Sequence, residues 1–166
     1  LISSSINLFS QEIPQDSLYL GQTPPGNIPK IFNLPVTAGH RACERIAITS
    51  DGKEIYYGEL NTYPASSYRI KYFKYQDNRW QGPENLFEGF MAPKLSPDDS
   101  IIYLQDNTFH AYYSKRLSTG WSVPVRLISQ NIKTHYLQKT ELNNFYVSSY
   151  YEGSSSDGEI CKLLME

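Results

Sequence analysis

The chain has 166 residues, 40% of them hydrophobic and 19% charged, with a formal net charge of −2. That length suits one domain, the composition is enough to bury a core and does not call for disorder, and the lack of a basic stripe speaks against a nucleic-acid partner. With 14 Tyr and 7 Phe, and with 10 Pro and 10 Gly breaking it at short intervals, the chain reads as all-β. Flat rings favour a pleated, half-buried surface, and no long stretch holds a clean helical period.

In chain order, the opening LISSSINLFSQE is an apolar and small-residue run. Residues 1–10 have the form of a signal-peptide tail, which predicts an exported protein; an ordinary first strand is the alternative. No run approaches the ~18 apolar residues of a membrane-spanning segment, so none is predicted. NIPKIFNLP (27–35) has the form of an isolated outer strand. Residues 45–49 predict a first strand with Cys43 just before it, Ser50-Asp51-Gly52 a hairpin turn, and 54–59 a second strand. A loop over 63–67 leads into an alternating third strand, 68–76, whose RIKYFK (69–74) has the pattern of one wet face. Residues 77–79 turn the chain into an edge strand, 80–86, where Pro83 removes no needed ladder bond. The same order recurs over 90–127, with Ser96-Pro97-Asp98 at its first turn. A third round opens near Thr134 and runs into a strand within 157–166.

These rounds repeat in register. AITSDGKEIYYGE (47–59) lies over KLSPDDSIIYLQD (94–106) at an offset of 47, placing Thr49 on Ser96, Asp51 on Asp98, Ile55 on Ile102 and Tyr56 on Tyr103. QKTELNNFYVSSY (138–150) is a weaker third copy at an offset of 43. DNRWQGPENL (77–86) lies over STGWSVPVRL (118–127) at an offset of 41, both carrying W-x-x-P-x-x-L. A unit of this length is that of one four-stranded propeller blade. The expected architecture is therefore a partial β-propeller over 11–166, an open arc of three antiparallel blades at about 44–86, 90–127 and 134–166. Three blades cannot close a ring. The complete protein is expected to carry about three more, or to dimerise if the chain is not truncated.

TSDGKEIYY and LSPDDSIIY resemble the S-P-D-G-x-x-I-Y-F signature of TolB-type, WD-repeat-like β-propellers. LYLGQTPPGNIPKIF (18–32) is similar to the lead-in segment of uncharacterised exported members of that family. Asp99 stands where Gly is usual, and the third copy has neither Asp nor Gly. The resemblance implies a six- or seven-bladed ring, a periplasmic or otherwise exported location, and protein binding rather than catalysis. It also implies that the motif residues Ser50, Asp51, Gly52, Ser96, Pro97 and Asp98 are structural.

The residues agree on that last point. Asp98 and Asp99 could be an acid/base pair, but neighbouring turn residues face water, and an Asp or Ser there binds nearby backbone N–H groups. Of the three histidines, His40, His110 and His135, none belongs to a G-x-S-x-G context. His110 falls in an alternating strand. His135 opens the first strand of its blade, at the position of Arg45 and Ala92, and first strands line a propeller's channel. Glu44, Arg45, Lys94 and His135 are thus the candidate binding groups at the channel mouth. Trp80 and Trp121 occupy equivalent positions, which favours packing between blades over sugar stacking, and no S-x-D-x-G-x-x-W box occurs. Cys43 and Cys161 could form a disulfide or stay two free thiols, the second being the favoured reading, and no zinc or cofactor motif is present. The expected function is non-catalytic binding of a protein or another envelope component. A hydrolase or lactonase acting at the channel, or glycan binding by a Tyr-rich face, are the alternatives.

Overall fold

The computed structural model describes residues 12–62, 66–129, 132–140, 142, 144–151 and 159–163. The fold is all-β. Strands β1 (Arg41–Ile48), β2 (Glu54–Leu60), β3 (Tyr68–Gln76) and β4 (Arg79–Glu88) form an antiparallel sheet in chain order. A second sheet takes β5 (Met91–Leu95), β6 (Ile101–Gln105) and β7 (Ala111–Leu117). Its outer edge is split into β8 (Gly120–Trp121) and β9 (Val125–Arg126), both paired to β7. Pro124, which has no N–H to donate, sits in the gap between them. The third sheet is β10 (Ile132–Lys139), β11 (Phe145–Tyr151) and β12 (Glu159–Leu163).

The sheets pack through their apolar faces in sequence order. Ala47, Tyr56 and Ile70 of the first sheet meet Ile102 and Leu104 of the second. The opposite face of the second, with Tyr103 and Ala111, meets Leu137, Phe145 and Val147 of the third. This alternation is the period-two rule at work: along β2 and β6, successive residues serve different neighbours.

The remaining face of the first sheet, Ile55, Tyr57 and Phe73, is covered by Leu20, Phe32 and Leu34 of the lead-in segment. That segment contains 3₁₀ turns over Gln15–Gly21 but no strand, so the strand expected over 27–35 is replaced by irregular backbone. It is held by a buried ionic latch. Glu59, fully buried, pairs with Lys71 at 2.9 Å, and its carboxylate accepts from the backbone N–H and hydroxyl of Thr37. Burial raises the Glu59 pKa, but the Lys71 and Thr37 hydrogen bonds outweigh it and leave the group below the ordinary carboxylate range. Lys71 is 9% exposed, which corrects the expectation that the charges of 69–74 form a wet face.

Other boundaries move by a few residues. Cys43 lies inside β1 rather than before it, and His110 lies in the turn before β7 rather than in a strand. Both cysteines are free and half-buried. Residues 1–11, which include the expected signal-peptide tail, lie outside the described residues.

Candidate functional site

Each first hairpin is built on a hydroxyl and an aspartate. In the first sheet Thr49 Oγ1 donates to Asp51 at 2.7 Å and accepts from the backbone N–H of Glu54 at 2.9 Å, while Lys53 N–H donates to Asp51 at 3.0 Å. In the second, Ser96 Oγ donates to Asp98 and accepts from Ile101 N–H at 3.0 Å, and Ser100 N–H donates to Asp98 at 3.2 Å. In the third, where the sequence has no aspartate, Thr140 Oγ1 accepts from Asn144 N–H at 3.2 Å. Hydrogen bonds from Ser96 and Ser100 draw the Asp98 pKa down to about 2, the opposite of what a general acid needs.

Asp99 takes the left-handed conformation (φ 56°) that Gly52 takes (φ 73°) in the first hairpin. Its carboxylate then accepts from both the N–H and the hydroxyl of Ser50, at 2.7 Å each. The residue that departs from the repeat pattern is therefore the one that ties the two hairpins together.

The four predicted binding residues come together where β1, β5 and β10 lie side by side. Arg45 donates from Nη1 to Leu137 O at 2.8 Å and lies over the Tyr136 ring at 5.2 Å. Tyr136 donates its hydroxyl to Glu44 at 2.9 Å. His135 stacks between Tyr136 and Phe109, with ring centroids at 3.8 and 4.7 Å. Burial lowers its pKa, Glu44 opposes this and Arg45 adds to it, and the net shift is downward, favouring the neutral imidazole. Lys94 is half-buried, and its pKa is lowered first by burial and then by Arg45.

One register correction applies. Each first strand carries a bulge holding one left-handed, non-glycine residue: Glu44 (φ 68°), Ala92 (φ 52°) and Tyr136 (φ 52°). Tyr136, not His135, is thus the counterpart of Ala92. An extra residue rotates the strand locally and re-aims its side chains. Here it turns Tyr136 toward Arg45 and Glu44. Sequence reasoning missed Tyr136 because no glycine marks the bulge.

A groove of about 370 Å³ runs between β1 and β5, lined by Arg45, Ile46, Ile48, Pro93, Lys94 and Gln138 among others. Ile46 and Ile48 are 48% and 45% exposed there. Beside it a cavity of about 10 Å³ is shared by Arg45, Lys94, Gln105 and Tyr136. Gln105 was not foreseen as a site residue.

The other candidates go elsewhere. Trp121 packs across the first interface, edge-on to Tyr56 at 6.0 Å and under Arg116 at 4.4 Å. Trp80 lies on the opposite face and donates Nε1–H to Ser17 O at 2.7 Å. Tyr56, Tyr57, Tyr75 and Tyr103 are buried rather than displayed. Burial and the nearby Glu44 push the Cys43 thiol up to about 11, which keeps it protonated and unreactive. Among the described residues no group of three or more His, Cys, Asp or Glu could hold a metal ion. No helix among them is long and apolar enough to cross a membrane.

No family model matches the chain, and no curated protein or solved structure is similar enough to match it.

Proposed function

We propose that the chain is an arc of a TolB-type β-propeller from an exported, periplasmic protein, and that it works by binding a protein partner rather than by catalysis. Three antiparallel sheets in chain order, stacked face to face, the first two opened by the same hydroxyl–aspartate hairpin and the third by its hydroxyl, support the propeller reading. The observation that carries the function is the groove between β1 and β5. It sets two half-exposed isoleucines beside Arg45 and Lys94 on a face that needs no such apolar exposure for folding. Asp98 and Asp99, which could have served as an acid/base pair, are engaged by Ser96 and Ser100 and by Ser50 respectively.

A site-specific crosslinker tests this in cells producing the full-length protein. Ile48 in the groove and Leu117 on β7 are both apolar, 45% and 52% exposed. A defined protein adduct from position 48 and none from position 117 is expected, in the periplasmic fraction. No adduct at 48, or equal adducts at both, overturns the proposal.

A further inference from the structure

Beside the groove, the small cavity brings one buried donor without an acceptor, Gln105 Nε2, together with two cations, Lys94 and Arg45, that line both spaces. Gln105 is 3% exposed, and its Nε2 has no hydrogen-bond partner among the described residues. Its orientation is fixed, because Oε1 accepts from the backbone N–H of Tyr136 at 3.2 Å; turning the amide over would set N–H against N–H. Lys94, which has only donors, shares the same cavity, and no carboxylate lies within ion-pair distance of its ammonium among the described residues. Arg45 lines both spaces, and its Nη1 donates to Leu137 O. The nearby acids are engaged elsewhere. Glu44 accepts from Tyr136, and Asp99, at the far end of the groove, accepts from Ser50. A buried amide donor left open costs free energy, and two cations side by side repel. One acceptor-rich, negatively charged group would relieve both.

The rest of the groove says what carries that group. Its walls are Arg45–Ile48 of β1 and Pro93–Leu95 of β5. Each of these strands is the edge of its own sheet, and the two are not paired with each other. Edge strands offer free backbone N–H and C=O groups to an extended chain. Ile46, Ile48, Pro93 and Pro97 supply apolar contact alongside.

Resting on the binding role proposed for this groove, we infer that it takes the C-terminal end of an extended apolar peptide. The free α-carboxylate sits among Lys94, Arg45 and Gln105 Nε2, and the preceding residues lie along β1 and β5. Lys94 and Arg45 supply charge; Gln105 sets the position of one carboxylate oxygen.

The test is an NMR titration of the full chain with the tripeptide Ala-Val-Leu as the free acid, as its C-terminal amide, and with acetate alone. The free acid should shift the Gln105 side-chain amide and the Tyr136 backbone amide saturably. The amide form should bind about tenfold or more weakly, the loss expected for a charge-assisted contact. Lys94→Met, which keeps the aliphatic stem, should weaken the acid by about tenfold and leave the amide unchanged. Gln105→Glu keeps the acceptor for Tyr136 but reverses the donor, and should abolish binding of the acid. Equal binding of acid and amide overturns the carboxylate while leaving the groove a binding face. Acetate binding as tightly as the peptide acid overturns the peptide, and no saturable shift with any of the three overturns the site. Indifference of the acid to Lys94→Met does the same.

Discussion

The first and second sheets are two copies of one unit set in different company. Both open with the same hairpin lock, and both place a tryptophan after the third strand. Trp121 lies against Tyr56 of the preceding sheet, whereas Trp80 has no preceding sheet among the described residues and lies against the lead-in segment. The repeat thus specifies a residue that needs a cover, not what the cover is. Irregular backbone can serve where a sheet would, provided something anchors it, and in the first unit the anchor is Glu59 with Lys71 and Thr37.

The strongest way to break this comparison is to remove that anchor. Glu59→Gln leaves the Lys71 ammonium buried without its partner, and should destabilise the first unit by about 3–5 kcal/mol in urea unfolding. Its acid limb carries a sign. The folded pKa lies below the ordinary 4.5, so the unfolded chain binds the proton more tightly. The Glu59 contribution is whole above about pH 4.5 and fades as pH falls through the folded value. Asp51 and Asp98, also lowered, act in the same direction. Glu59→Gln should therefore flatten, but not abolish, the loss of stability in acid. An unchanged acid limb would refute the latch.

The tryptophans come next. Trp121→Ala should cost about 3 kcal/mol, since it leaves a space between two sheets and strips Arg116 of its aromatic partner. Trp80→Ala should cost about 2 kcal/mol and act mainly on the lead-in segment. Limited proteolysis should then cut within residues 15–35 for Trp80→Ala and not for Trp121→Ala. Equal cutting would mean that the two positions do the same work.

The smallest effect lies in the hairpins. Gly52→Ala puts a Cβ at φ 73° and should cost about 1 kcal/mol. Asp99→Gly relieves the same strain while losing two bonds to Ser50, and should fall within about 0.5 kcal/mol of neutral by thermal unfolding.

What the sequence made legible follows the same divide. The hairpins were readable because Thr49 with Asp51, and Ser96 with Asp98, are local and recur. The all-β class was readable from ring-rich alternation broken by Pro and Gly. Lys71 and Glu59 were not, because a charge on an alternating strand looks solvated until its cross-strand partner is known. The cluster of Glu44, Arg45, Lys94 and His135 was anticipated, but Tyr136 and Gln105 were not. Tyr136 was hidden by a bulge that carries no glycine. Gln105 became visible only through what its amide fails to meet.

Those bulges also bear on how such a chain can change length. In β1 two residues, Glu44 and Arg45, stand between successive pairs with β2, whereas β5 and β10 hold one fewer extra residue at the same place. The ladder resumes in step on either side. A residue gained or lost there leaves the hairpin in step, at the cost of re-seating buried neighbours such as Ala92 and Leu137. Copies of the unit can differ in spacing while remaining the same unit, and each difference re-aims the side chain at the bulge.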